Sequence, residues 1–285
     1  MYPKIEGKVV LVTGATNGIG LVTARELSRL GGHVTIISRN AEKCVSVADA
    51  IKAETGNLVE YIQADLSTLA GIRKAAATFL KFQKQLHILV NNAGGFFIKR
   101  TVTPDGFEST FALNHLNYFL LTTLLLDQLK ASAPTRVINV ASGSHVGARI
   151  SFNDLQGEKR YGGFRAYGQS KLANVLFTYE LARRLEGTGV TVNALHPGYV
   201  DTGIPLSSGF LGKVAKLSAS IFAQKPEKGA QTTIFLALSP DVEGVTGKYF
   251  VDCKPIASSP ESYDKSVAER LWQVSLKLTG TTSNL

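Results

Sequence analysis

Sulfur is scarce in this chain: two cysteines, Cys44 and Cys253, among 285 residues. Two are too few for a disulfide framework, and they lack metal-ligand spacing, so a reducing compartment and no structural metal are expected. Long apolar runs are missing too. The opening Met-Tyr-Pro-Lys-Ile-Glu-Gly-Lys carries no apolar signal segment, and the most apolar helical stretch, around Phe119 to Leu129, is interrupted by polar residues and shorter than a bilayer span. A soluble, cytoplasmic protein is the expectation. No Pro/Ser-rich linker, low-complexity tract or repeat divides the sequence, which argues for one domain over residues 1–285. There is also no basic stripe with interleaved aromatics. The net charge of +9 comes from cations scattered among acids, so nucleic acid is not an expected partner.

What is present is an apolar fraction of 44%, ample for a sizeable core. Strand-like apolar runs recur from Val9 to Val251 at the spacing of alternating strands and helices, an α/β pattern. Lys8 to Thr13 reads as a buried strand, and Gly14-Ala15-Thr16-Asn17-Gly18-Ile19-Gly20 follows it directly before a helical pattern. Such a turn lets backbone N–H groups and a helix N-terminus face a pyrophosphate, with glycines removing the Cβ atoms that would collide. Its Gly-x-x-x-Gly-x-Gly spacing is a variant of the dinucleotide fingerprint.

The second strand, His33 to Ile37, ends at Ser38-Arg39-Asn40, where an NAD site usually places an acid for the ribose 2′-hydroxyl. Arg39 offers a planar fork for a 2′-phosphate and Ser38 a hydroxyl, a combination suited to NADP(H). After the strand Leu58 to Ile62, Asp65-Leu66 suits hydrogen bonding to an adenine edge, though an aspartate capping the next helix fits the same position. The fourth strand, Leu86 to Val90, runs into Asn91-Asn92-Ala93-Gly94-Gly95. There the amides bridge strand ends, while Ala93 and Gly94 leave room for a ribose.

Tyr167 and Lys171 are four residues apart and share one helix face. A phenol is a poor proton donor or acceptor near neutrality, and a neighbouring ammonium favours its phenolate form. With Thr13-Gly-x-x-x-Gly-x-Gly20, Asn91-Asn-Ala-Gly94, Asn114, Ser142, Tyr167, Lys171 and Pro197-Gly198 all in place, the chain resembles the short-chain dehydrogenase/reductase family. More narrowly it resembles the retinol-dehydrogenase-like branch, through Asp105-Gly-Phe-Glu, Asn114-His-Leu, Asp154-Leu-Gln-Gly-Glu-Lys, Ser170-Lys-Leu-Ala-Asn-Val-Leu-Phe, Gly247-Lys-Tyr-Phe and Ala268-Glu-Arg-Leu-Trp. Against that branch, the membrane-anchoring helix that many animal members carry at the N-terminus is not expected here.

The resemblance implies a doubly wound, Rossmann-type parallel sheet of about seven strands between two helical layers. Residues 1–100 would form mainly the cofactor half and 101–285 the catalytic and substrate half. It implies NADP(H)-linked hydride transfer on a retinal-like or other lipophilic carbonyl or its alcohol; protochlorophyllide reductases, which act on a tetrapyrrole, share the Tyr/Lys arrangement. By position, Tyr167 would exchange the proton at the substrate oxygen and Ser142 would hydrogen-bond that oxygen. Lys171 would lower the tyrosine's pKa and hold the nicotinamide ribose, and Asn114 would position a linking water. Pro197, Gly198, Val200 and Thr202 would meet the carboxamide of nicotinamide.

Phe96, Phe97, Ser144, His145, Val146, Tyr161 and Tyr199 follow strand ends on the catalytic edge and are candidates for the substrate wall. Between residues 204 and 224, Phe210, Leu211, Val214, Leu217, Ile221 and Phe222 recur at helical spacing, which reads as an apolar lid. With Lys213 and Lys216, the same stretch would suit peripheral contact with an anionic bilayer. Family members commonly pair through the helices bearing Asp105 to Leu129 and Phe164 to Leu185, so a homodimer is an open expectation. A non-catalytic redox sensor or interaction module on the same fold is the rival reading, and the intact Asn114, Ser142, Tyr167 and Lys171 set argues against it.

Overall fold

The computed structural model describes residues 2–198 and 225–282. Tyr199, Val200, Thr202 and the lid expected at 204–224 lie outside those residues. One eight-stranded sheet organises the chain, in the order β3-β2-β1-β4-β5-β6-β7-β8. Its members are β1 (Val9–Thr13), β2 (His33–Ser38), β3 (Glu60–Gln63), β4 (Ile88–Asn91), β5 (Thr135–Val140), β6 (Val190–His196), β7 (Tyr249–Val251) and β8 (Lys254–Ile256). The first seven are parallel, and β8 turns back antiparallel on β7. The expected count of about seven misses this last strand. Its turn, Asp252-Cys253, holds both residues at positive φ (47° and 62°), the two-residue geometry that matches strand twist, and no Asn-Gly signal announces it.

The central strands are buried on both faces because helices cover both, which is why Val9-Val10-Leu11-Val12 reads as an unbroken apolar run. On one face pack α1 (Gly18–Arg29) and α2 (Ala41–Thr55), sharing a core with Val10, Ile36, Val90 and Ile138. The other carries α3 (Leu69–Phe82) and its neighbours around Phe79, Phe119 and Phe177. The stretch read as one helix from Asp105 to Leu129 is in pieces: α4 (Ser109–Phe111), a π-turn at Ala112–Leu116, α5 (Asn117–Leu124) and α6 (Leu126–Ala131). Glu108, 2% exposed, starts it by accepting from the Thr110 and Phe111 N–H groups.

After β5, α7 (Gly163–Arg184) runs down the same face, and α8 (Pro226–Leu238) joins α1 on the opposite one. A further helix, α9 (Lys265–Thr279), lies outside α7. Leu271 and Ala268 pack with Leu172, Leu176 and Phe111, and Trp272 stacks on Phe177 at 6.0 Å. One side of α7, a helix through which family members commonly pair, is thus packed against α9.

Among the described residues no helix is long and apolar enough to cross a membrane.

His115, in the π-turn, sits beneath α9 with Nε2 at 2.9 Å from Ser275 Oγ, and burial pushes its pKa down to about 3. Its folded pKa is below the unfolded value of about 6.5, so the unfolded chain binds the extra proton between those limits. Stability is therefore full above about pH 6.5 and falls, by up to about 1.4 kcal/mol per pH unit, as acid approaches pH 3. Urea titrations from about pH 7 to about pH 4.5 should show this slope, and His115→Gln should flatten it.

Candidate active site

The strand order places the ends of β1 and β4 side by side at the point where the sheet's direction of winding reverses, the usual crevice for ligands in open α/β sheets. Thr13 closes one side of it. Its hydroxyl accepts from the N–H groups of Asn92 (2.9 Å) and Ala93 (3.0 Å) and lies 3.3 Å from the Val90 carbonyl. Asn92 answers by donating to the Thr13 and Gly14 carbonyls at 2.8 and 3.1 Å. The turns touch so closely that a Cβ on Gly14, at φ +65°, would stand 2.8 Å from Ala93 Cα. On Gly20 it would collide with Asn92 Nδ2. Thr16 ties the turn to β2 through the Ser38 hydroxyl at 3.0 Å.

Helix α1 starts from this turn without a side-chain cap from Asn17 and without an acid in its first turn, leaving the N–H groups of Gly18 and Ile19 open to an anion. Arg39 stands exposed at the end of β2 with no carboxylate partner among the described residues. Asn40 is committed elsewhere: its Oδ1 caps α2 at Lys43 N (2.8 Å). Asp65 folds an Asx turn onto Ser67 (2.7 and 3.0 Å), with Leu66 buried behind it. The cap of α3 falls to Thr68 instead, because the helix begins one residue beyond it. Asn91 is the sheet-holding amide, donating to Thr122 and to Asn139 at 3.0 and 2.9 Å.

The four residues expected to act on the substrate come from separate segments. Asn114 occupies the π-turn, and its amide is engaged with the Gly95 backbone (2.7 and 3.0 Å) and Ser170 Oγ (2.9 Å). Ser142 lies just past β5, where its hydroxyl donates to Ser144 Oγ at 3.3 Å and accepts from the Ser144 N–H at 3.2 Å, on the side from which it acts on the Tyr167 phenol. Lys171 is buried, donates to the Val140 carbonyl at 2.9 Å, and holds its ammonium 5.6 Å from the Tyr167 ring centre. A Cβ on Gly94 would reach within 3.6 Å of that ammonium and 3.1 Å of Asn114 Oδ1. Glycine there keeps open the space over the amine.

The electrostatics differ from the expected direction. Burial raises the Tyr167 pKa, opposed by the Ser142 hydrogen bond, and burial lowers that of Lys171 to about 7. Desolvation disfavours whichever form is charged, so it moves a phenol up and an amine down. The lysine was expected to bring the tyrosine below its ordinary value, whereas here removal from water is the larger effect on the phenol and it is Ser142 that opposes it.

Of the expected substrate wall, Phe96 packs edge-on against Tyr167 with ring centres 5.6 Å apart. Phe97 contributes its ring beside Gly95 and its carbonyl to Tyr161, whose hydroxyl is 2.7 Å away. Tyr161 thus braces the Phe97 loop. Ser144 and Val146 are exposed beside Ser142. His145 is 1% exposed, turned inward and bonded to backbone at both ring nitrogens, so it does not face the crevice. Phe164 was missed: one helical turn before Tyr167, it is 85% exposed and its ring lies 5.0 Å from Phe96. Its i, i+3 spacing from Tyr167 was the available signal.

The short chain dehydrogenase family model matches residues 8–208. The chain belongs to that family. As a short-chain dehydrogenase of the retinol-dehydrogenase-like branch, it is an alcohol/carbonyl oxidoreductase of a family that uses nicotinamide cofactors. It is 49% identical over 278 residues to retinol dehydrogenase 12 of Mus musculus, spanning 97% of this chain and 88% of that protein. With retinol dehydrogenase 13 of Homo sapiens the identity is 46% over 283 residues, spanning 97% and 86%. A crystal structure of an uncharacterized protein from Mycobacterium Paratuberculosis is similar at a TM-score of 0.81 and 33% identity, covering 100% of this chain and 97% of that one. The Pseudomonas aeruginosa RhlG/NADP active-site complex is similar at 0.71 and 30%, covering 92% and 100%.

Replacing Thr13 by Val in this dehydrogenase keeps the shape but strands two N–H groups at the contact between the turns. Urea unfolding should show a loss of about 2–4 kcal/mol for Thr13→Val, and within about 1 kcal/mol for Thr13→Ser.

Proposed function

We propose that this enzyme is an NADP(H)-dependent reductase of lipophilic carbonyls of the retinal-like class, with Tyr167 as the proton donor. The observation that carries the reading is the Tyr167 phenol set beside the buried ammonium of Lys171, 5.6 Å from its ring centre, under a ring array that starts at the phenol itself, with Ser142 opening the neighbouring turn. The relatives named retinol dehydrogenase support the substrate class, and Arg39, with no acid at the end of β2, supports NADP(H) over NAD(H). The Gly14 and Gly20 contacts and the open start of α1 fit a dinucleotide pyrophosphate.

When bound, NADPH supplies the hydride. The substrate oxygen becomes more basic as the carbonyl carbon is reduced, and Ser142 donates a hydrogen bond to it where that charge develops. Tyr167 delivers the proton. Its raised pKa keeps the phenol protonated at neutral pH, which suits reduction, whereas alcohol oxidation requires the phenolate. Lys171, tethered to Val140, places positive charge near the phenolate left behind. Asn114 fixes the Gly95 turn and the α7 backbone at Ser170, so the tyrosine and the ribose-facing glycines keep their spacing.

The apolar walls match the substrate class. Phe164, Phe96 and Tyr167 form a line of rings from solvent to the acid, able to hold a conjugated or long-chain tail while leaving only the oxygen to polar groups.

Absorbance of NADPH should fall in the presence of all-trans-retinal and other lipophilic aldehydes, with NADH a poorer donor. Arg39→Asp should shrink the preference for NADPH by about 10–100-fold. Tyr167→Phe should bind NADPH with unchanged affinity and lose about 10²–10⁴-fold in turnover. Full activity in Tyr167→Phe would remove the tyrosine from the mechanism. Phe164→Ser should raise KM for a long conjugated aldehyde about tenfold and leave a short aliphatic aldehyde unaffected; an equal change for both would show that the ring does not contact the tail.

A further inference from the structure

Ser142 ends an extended residue, φ −171°, and opens a single 3-10 turn at Gly143–His145. Such a turn has only local hydrogen bonds with which to hold its hydroxyl. The third residue of the turn supplies more. His145 Nδ1 lies 2.7 Å from the Ser142 carbonyl, and the Ser259 N–H reaches Nε2 at 3.0 Å. A carbonyl can only accept and a backbone N–H can only donate, so the ring is neutral with its proton on Nδ1. Its face packs on Tyr249 of β7 with ring centres 4.8 Å apart.

Ser259 is itself held. Its carbonyl accepts from Ser262 Oγ at 2.6 Å, and the neighbouring Ser258 hydroxyl lies 2.6 Å from both Ser262 Oγ and Tyr179 Oη. The imidazole therefore spans from the catalytic edge to a segment 114 residues later in the chain, where the backbone is anchored to α7.

We propose that His145 is a positioning residue of the reductase: Nδ1–H grips the Ser142 backbone, Nε2 ties the ring to Ser259, and together they aim the Ser142 hydroxyl at the substrate oxygen. This rests on the reading of Ser142 given above. Hydride transfer tolerates little misplacement of the groups around the reacting oxygen, and about 1 Å costs on the order of 10²-fold. The role differs from substrate contact, because a ring 1% exposed touches no substrate. It differs from packing, because a phenylalanine of the same shape would keep the Tyr249 contact and lose both hydrogen bonds.

The test uses the full-length enzyme with NADPH and one lipophilic aldehyde that the wild type reduces. An asparagine amide nitrogen can take the place of Nδ1, and a glutamine amide oxygen that of Nε2. His145→Asn keeps the donor to Ser142 and should stay within about threefold of wild type in kcat. His145→Gln keeps only the Ser259 acceptor and should lose about 10–100-fold in kcat, with KM and NADPH affinity changed by less than about threefold. Ser142→Ala should then cost much less in the His145→Gln background than alone, because the hydroxyl is already misaimed. Equal Ser142→Ala losses in both backgrounds, or wild-type kcat in His145→Gln, would overturn the proposal. A Ser142→Ala enzyme of wild-type kcat would overturn the reading of Ser142 itself, a separate failure. Should His145→Gln not fold, Ser259→Pro serves instead. Ser259 has φ −64°, which proline accepts, and the change deletes the N–H without altering the ring. It should lower kcat several-fold at unchanged NADPH affinity, and an unchanged kcat would refute the tether.

Discussion

The close approach of two strand-end turns, joined by the Thr13 hydroxyl, is the constraint from which the rest of this enzyme follows. β1 and β4 are neighbours in the sheet, and the segments leaving them must part to opposite faces while remaining in contact. Glycine at positions 14 and 20 and alanine at 93 permit backbone contact that any larger side chain would block. Because Thr13 and Asn92 satisfy each other's backbone groups, these turns need no other polar partner there. The N–H groups at the start of α1 stay directed at the crevice. The opening for the anion proposed above is thus a by-product of satisfying hydrogen bonds elsewhere.

Beyond that contact, the site runs on competition between desolvation and local polarity. Tyr167 and Lys171 are both removed from water, and each is pushed toward its neutral form. A neutral phenol and a partly neutral amine sit side by side at neutral pH with little repulsion to offset. The opposing forces are few and short: Ser142 on the phenol, the Val140 carbonyl on the amine. Anionic phosphate or a developing oxyanion nearby would favour the charged amine, so ligand and proton occupancy are coupled at Lys171.

The C-terminal part of the chain does more than complete the sheet. Trp272 and Leu271 of α9 cover α5 and α7 with apolar surface, and Ser258 to Tyr263 brace the edge near Ser142. Glu108 and Asp105, two residues of the motif that marks the branch, prove to be anchors: one starts α4, the other caps Leu69 N of α3 at 2.8 Å. Motif residues of this kind preserve the spacing between helices that carry the reacting groups.

The order of strands and helices, the glycine turn and the Tyr167/Lys171 face were legible because they depend on periods of two and 3.6 residues and on local steric rules. Strand starts at Leu58 and Leu86 were read two residues early, since both side chains extend the apolar pattern past the point where ladder bonds begin. The break of the helix at Ala112–Leu116 carries no Gly or Pro signal and arises where Asn114 must reach the Gly95 backbone. His145 looked like a wall residue because it follows a strand end. Its partner, Ser259, is too distant in sequence for any spacing rule to find. The sequence by itself determined which groups exist and which share a face, because those facts are set by chain geometry over a few residues. Only the tertiary structure decided which groups are dry, which hydrogen bonds they keep and in which direction their pKa values move, because burial is a property of the whole packed chain.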